Sequence, residues 1–267
     1  IDDEGVAKIS CRAEKRLPPI SSPGVQAAGT HPATLAGTMG QASEESLSGL
    51  VLHQRANHGA HFIYGSFATI MDMRTTVFSY GAIEMALMVG ALAQMAQRYQ
   101  LPFYGTAGCT DSQVVDIQAG VEGALQDLVS ASVGEGLVHD THCWLDHGST
   151  VAPTYLVLGQ EILGMVKQFM NGVSVTDENL ALEVMKKVGS GGNFLREKHT
   201  MHNYKSMFYS DIFDRMQYES WQNKGAQSIE KRLKDKTMKL INSPDEAALS
   251  PEVIKELNSR QKSWEKW

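Results

Sequence analysis

The side chains able to do chemistry crowd into four segments, and the densest is His139-Asp-Thr-His-Cys-Trp-Leu-Asp-His147. It supplies His139, Asp140, His142, Cys143, Trp144, Asp146 and His147 within nine positions. His, Cys and Asp are the usual ligands of zinc and related transition metals, so a metal-dependent hydrolase or lyase is one reading. The spacing matches neither paired C-x-x-C nor H-E-x-x-H, and a loop whose His and Asp bond each other and the backbone is the other reading. A second segment, Gly105-Thr-Ala-Gly-Cys-Thr-Asp111, places Cys109 in a glycine-rich loop before a helix. There a thiol is either a nucleophile with a lowered pKa or a small residue filling a tight turn. The stretch lacks the Lys-Ser/Thr of a phosphate-binding loop and is too loose for a dinucleotide fingerprint. A third segment, Tyr64 to Tyr80, carries Ser66, Asp72 and Arg74. Arg74 is suited to clamp a carboxylate in two-pronged fashion, or to pair with Asp72 and brace the loop. The fourth holds Gln26, Thr30 and His31. Tyr64, Phe67, Tyr80, Phe103, Tyr104 and Trp144 lie on or beside these segments, and aromatic faces attract a quaternary ammonium group.

Those segments read as loops because of what flanks them. Short apolar runs at 17–22, 61–64, 101–104 and 137–139 are strand candidates. Each is followed by a loop and then a longer apolar-periodic stretch, at 34–55, 83–99, 114–133 and 155–170, that reads as a helix. The helix at 83–99 is almost wholly apolar before Gln97-Arg98 and is expected to be well buried. Strands alternating with helices of this length give βαβ units and a parallel sheet. In such folds ligands bind on the loops after the strands, where the four segments lie. Four units make half of a TIM-type (β/α)8 barrel, with two open sheet edges. Completion then requires a missing N-terminal barrel half or association with another copy; a small open α/β sheet is the alternative architecture. After Asn171 the pattern changes: Thr176 caps a helix expected to reach Lys187, residues 193–225 are irregular, and helices are expected at 227–241 and 251–264. The domain reading is 1–225 as the barrel half and 226–267 as a helical extension.

Composition narrows the class of partner. Hydrophobic residues at 42% can bury a sizeable core, and a net charge of −6 argues against nucleic acid as a partner. The basic run 230–239 is interrupted by acids and reads as a solvated helix face. Three widely spaced cysteines imply no disulfide framework and fit a reducing, cytoplasmic setting. No apolar run reaches the ~18 residues of a membrane span. The N-terminus has no signal-peptide pattern and no initiator Met, so the sequence is expected to begin mid-protein.

Gly24-Val-Gln-Ala-Ala-Gly-Thr-His-Pro-Ala-Thr-Leu-Ala-Gly-Thr38, Tyr64-Gly-Ser-Phe with Met71-Asp-Met-Arg-Thr75, and Ala107-Gly-Cys-Thr-Asp-Ser112 with Asp116-Ile-Gln-Ala-Gly120 carry a resemblance to the trimethylamine methyltransferase family. Trp144-Leu-Asp146, Glu161-Ile-Leu-Gly-Met-Val166 and Gly189-Ser-Gly-Gly-Asn-Phe-Leu195 complete it, in unbroken order over residues 15–225. The resemblance implies the C-terminal half of a TIM barrel that moves a methyl group from a quaternary or tertiary methylamine to Co(I) of a corrinoid carried by a separate partner protein, with no tightly bound cofactor of its own. It implies a place in methanogenesis or acetogenesis. Trimethylamine enzymes carry pyrrolysine at the position of Cys109; members without it use glycine betaine and related compounds. The family often has Lys at the position of Gln113 and Glu at that of Asp146. On this reading Asp111, His139 and Asp146 are the candidate catalytic residues. Gln26, Tyr64, Asp72, Arg74, Tyr80, Cys109 and Trp144 are the candidate substrate contacts, and no metal ligand is assigned. The competing classes are the metal-dependent enzyme of the 139–147 loop and a non-catalytic barrel-half binding subunit.

Overall fold

Turn chemistry sets the frame. Asp116 caps a long helix by accepting from Ala119 N at 3.1 Å, and Gly134, at φ 68°, closes it in the left-handed conformation that glycine adopts freely. Pro153 starts the next helix at a position where a missing N–H is harmless. The structure, a computed structural model, describes residues 1–134, 136–243 and 249–264. Residues 244–248 and 265–267 of the expected extension lie outside the described residues.

The elements in order are α1 (Asp3–Glu14), β1 (Ile20–Ser21), β2 (Gln26–Ala27), α2 (Leu35–Ala56), β3 (Ile63–Gly65), β4 (Thr69–Asp72), β5 (Val77–Phe78), α3 (Ile83–Arg98), β6 (Phe103–Thr106), α4 (Ile117–Val133), β7 (Leu137–His139), β8 (Trp144–Leu145), β9 (Thr150–Val151), α5 (Pro153–Met170), α6 (Asp177–Leu180), α7 (Leu182–Val188), α8 (Lys198–Asn203), α9 (Tyr218–Asn223), α10 (Ile229–Ile241) and α11 (Pro251–Trp264). The four anticipated strands form one sheet in the order β1-β3-β6-β7, with every pair parallel. It is a mixed α/β fold in which α2 and α3 pack on the strands and α2 to α5 pack on one another in sequence order.

Two loops contain structure that the sequence pattern did not show. In the second loop β4 pairs with β2 in parallel and with β5 antiparallel, and in the fourth β8 and β9 form a hairpin. Strands of two to four residues are too short to leave a clear periodic signal. The main core joins the sheet to α2 and α3 through Phe62, Tyr64, Met85, Met88, Leu92 and Phe103. Burying side chains such as Met88 and Leu92 contributes roughly 1.5–3 kcal/mol each. Helix α3 is only partly buried, because Ile83 and Leu87 form an outward face 56% and 60% exposed.

The helix expected from Thr176 to Lys187 is broken at Ala181, whose φ is 50°, into α6 and α7. Neither piece buries a residue, so no packed face holds the two turns in line. Helix α10 packs on α5 through Leu233, and its basic run is not wholly solvated. Lys236 reaches the buried carboxylate of Glu161 at 2.8 Å, and Arg232 Nε donates to the carbonyl of Ile212 at 2.9 Å. An apolar cavity of about 830 Å³ lies among α4, α5 and α10. Among the described residues no helix is long and apolar enough to cross a membrane.

Candidate active site

The third and fourth loops, after β6 and β7, are sewn together along their length. His142 N donates to Gly108 O at 3.1 Å, Thr110 N to Trp144 O at 3.3 Å, and Asp146 N to Ser112 O at 2.9 Å. The fourth loop needs this support, because Asp140, His142, Asp146 and His147 all have positive φ, between 49° and 61°. Such conformations cost non-glycine residues about 1–2 kcal/mol each. They also swing successive side chains in directions that an extended chain cannot reach.

Two carboxylates collect the side chains of this region. Asp140 accepts from Tyr80 Oη at 3.1 Å and from the Trp144 indole N–H at 3.1 Å, and His139 Nδ1 lies 2.7 Å from its Oδ2. Asp111 accepts from the backbone N–H of Tyr80 and from the Ser79 hydroxyl, and His147 Nδ1 lies 2.9 Å away. Tyr80 therefore joins the two, with its amide on one carboxylate and its phenol on the other. Burial holds the Tyr80 phenol well above the usual range, and the neighbouring Cys109 and Asp140 add to this, so it donates and does not ionise. The His139 ring stacks on Tyr104 with centroids 4.7 Å apart and planes 12° apart, and it meets Phe67 edge-on at 6.0 Å. His139 Nε2 is buried with no hydrogen-bond partner among the described residues.

Cys109 closes the floor of this cluster. Its side chain is fully buried, its N–H donates to Gln126 Oε1 at 3.2 Å, and its thiol donates to the carbonyl of Asp140 at 3.4 Å. Burial, reinforced by Asp140, pushes the thiol well above its ordinary pKa. The lowered-pKa reading of Cys109 is thereby corrected: burial in apolar surroundings disfavours the thiolate, and the nearby Asp140 adds to this. Glu122 braces the third loop from α4, accepting from Thr110 Oγ1 and from Asp111 N at 2.9 Å.

Of the residues singled out from sequence, the structure brings together Tyr80, Cys109, Asp111, His139 and Trp144. Five others stand apart. Tyr64 is buried in the sheet–helix core against Tyr99 and Phe103, because its position on β3 packs with the helices. Gln26 folds over Gly29, where a Cβ would lie 2.5 Å from its Oε1. Asp72 Oδ1 accepts from Arg74 N at 2.7 Å and closes its own turn, and the Arg74 side chain is 94% exposed. Asp146 Oδ2 takes the Ser149 hydroxyl at 2.6 Å within its own turn. The sequence reading passed over Asp140 as a site residue although it lies inside the densest loop. It also missed Gln126, Asp127 and Glu122, which project from a helix face and carry no motif.

The three imidazoles of the fourth loop turn to three different carboxylates: His139 to Asp140, His142 to Asp127 and His147 to Asp111. Among the described residues no group of three or more His, Cys, Asp or Glu converges as metal ligands do. What the cluster offers is fixed negative charge beside aromatic faces, the arrangement that holds a bulky cation.

A family model described as trimethylamine methyltransferase matches residues 1–263. The chain is similar to a glycine betaine methyltransferase of Desulfitobacterium hafniense (strain Y51), 32% identical over 259 residues, which is 97% of this chain and 54% of that protein. It is also similar to trimethylamine methyltransferases of D. hafniense (strain DSM 10664 / DCB-2), 33% identical over 85% of this chain and 45% of that protein. The Methanosarcina thermophila enzyme is 30% identical over 86% of this chain and 48% of that protein. The chain thus spans about half the length of the relatives it matches.

Proposed function

The chain belongs to the trimethylamine methyltransferase family, and from that premise we propose that it moves a methyl group from a quaternary or tertiary methylamine to a corrinoid carried by a partner protein. The observation that carries this reading is the Asp140 cluster, in which Tyr80, Trp144 and His139 converge on one carboxylate beside Tyr104 and Phe67. Carboxylate and aromatic faces stabilise a methylated ammonium, and Asp111 adds a second negative charge through Tyr80. The likeness to a glycine betaine enzyme, and a protonated thiol at residue 109, favour a quaternary amine over a tertiary one.

The corrinoid, as Co(I), supplies the nucleophile that accepts the methyl group. This chain's own residues have three tasks. The carboxylates and rings hold the cation in one orientation, the stitched loops keep the methyl group pointed the same way, and packing keeps water out. A quaternary ammonium leaves as a neutral amine, so no group here has to donate a proton. Asp111, His139 and Asp146, the candidate catalytic residues, are accordingly assigned to binding and orientation. Tight binding is self-limiting, because the positive charge fades in the transition state. The Asp140 carboxylate, 28% exposed, fits that compromise better than a dry ion pair.

The architecture proposed is a TIM-type barrel of which residues 1–225 form the C-terminal half, with 226–267 as a helical extension. The open edges at β1 and β7 are completed by four further βα units or by another copy. The corrinoid protein docks on the loop side, and the enzyme works in the cytoplasm. The test is demethylation of a panel containing glycine betaine, tetramethylammonium, other quaternary amines and trimethylamine, with a free Co(I) corrinoid as acceptor. A quaternary amine is expected to react, and trimethylamine is expected to react slowly or not at all. No reaction with any methylamine overturns the proposal.

A further inference from the structure

Beneath the Asp140 cluster lies a second histidine–carboxylate pair that the methyl-transfer reading does not use. The side chains of His142 and Asp127 are 1% and 2% exposed and are joined through His142 Nε2. A buried pair of this kind is poor evidence of a stabilising role, since a well-packed apolar pair often does as well. Its surroundings are unusual. His142 comes from the middle of the fourth loop at φ 55°, and its ring enters a slot floored by three glycines from three elements. A Cβ at Gly159 of α5 would lie 2.1 Å from His142 Cβ, one at Gly123 of α4 2.8 Å from Cε1, and one at Gly108 of the third loop 2.8 Å from Cδ2. Tyr155 meets the ring edge-on at 5.1 Å, and the backbone N–H of His142 is fixed to Gly108 O. The positions repeat in a regular way: Gly123 and Asp127 are one turn apart on α4, as Tyr155 and Gly159 are on α5. Two helices thus present matched glycine and polar positions to one imidazole.

We infer that His142, gripped by Asp127 and seated in the slot of Gly108, Gly123 and Gly159, is the positioning residue that sets the fourth loop and so fixes where His139, Asp140 and Trp144 stand. The inference rests on the proposed amine site for its functional consequence, but the seating itself does not depend on it. Residues 139, 140 and 144 flank the anchor within three positions on either side, and residues 140–143, which join β7 to the β8–β9 hairpin and include two positive-φ positions, belong to no strand ladder. A shift of about 1 Å at such a support costs about 100-fold in a reaction that depends on orientation.

The experiment uses the full-length protein labelled with 5-fluorotryptophan, with the Trp144 resonance assigned by its loss in Trp144→Phe. His142→Ala, His142→Gln and Gly159→Ala are compared by ¹⁹F NMR, by affinity for tetramethylammonium and by methyl transfer to a Co(I) corrinoid. Far-UV circular dichroism and the Trp221 resonance report whether the fold survives. His142→Ala and Gly159→Ala are expected to shift or broaden the Trp144 resonance while leaving Trp221 in place. They are expected to lower kcat/KM by about 100-fold. His142→Gln keeps a donor in reach of Asp127 and is expected to recover most of both. An unchanged Trp144 resonance in folded His142→Ala overturns the inference, as does equal loss in His142→Ala and His142→Gln. Should wild type neither bind nor demethylate any amine, the proposed function fails, while the Trp144 resonance still decides the anchor.

Discussion

The second and fourth loops carry similar side chains and end in different surroundings. In the second, Asp72 accepts from Arg74 and Thr75, two and three residues away, and Arg74 points into solvent. In the fourth, Asp140 accepts from Tyr80, 60 residues away, and its partner loop supplies Asp111, which takes the Tyr80 amide from 31 residues away. A carboxylate satisfied by its own turn has finished its work locally. Asp140 also takes His139 and Trp144 from its own loop, but its bond to Tyr80 ties that loop to a distant part of the fold, and its remaining charge is held at a defined point.

The largest effect expected from this contrast is at Asp140. Asp140→Asn removes the charge while keeping the shape, and kcat/KM for the quaternary amine is expected to fall about 100-fold, the scale on which lost preorganised electrostatics act. Steady-state kinetics beside a folded control decide it, and a change below threefold breaks the contrast. Tyr80→Phe removes one hydrogen bond to Asp140, a loss of about 1 kcal/mol, so a fall of about five- to tenfold is expected in amine affinity by titration calorimetry.

Cys109 gives a smaller effect with a pH signature. Its folded pKa is raised by burial, and a free thiol ionises near about 8.5. Above that pH the unfolded chain loses the proton and the folded chain keeps it, so stability falls as pH rises through that value. Cys143, raised by burial as well, acts in the same direction, whereas Tyr64, Tyr80 and Tyr155 join only above about pH 10. Thermal melts from pH 7 to 9.5 are expected to decline more steeply in wild type than in Cys109→Ser. Methyl transfer by Cys109→Ser is expected to persist within a few-fold. Complete loss of turnover in a folded Cys109→Ser would instead require covalent catalysis. Arg74→Ala is expected to change neither stability, beyond about 0.5 kcal/mol, nor amine kinetics. A tenfold rise in KM there would place the Asp72–Arg74 turn in the site after all.

The strand order and the helices α2 to α5, α10 and α11 were legible because period and punctuation are local: a capped α4, a Pro-started α5 and four apolar runs in sequence order; α1, and the short α8 and α9 inside 193–225, were not. Membership of the family was legible for the same reason, since the motifs lie along the chain. The partition of site residues was not. Tyr64 and Tyr80 look alike in sequence, yet one is packed between sheet and helices and the other bridges two carboxylates, because pleat direction and loop path decide which way each points. The density of the 139–147 loop was visible; its division among Asp140, Asp127 and Asp111 depends on positive-φ turns and on a slot made by glycines of three elements. The sequence by itself determined the βα order and the loops where chemistry gathers. Only the tertiary structure decided which carboxylate each side chain meets, because those partners come from distant parts of the chain and are chosen by packing.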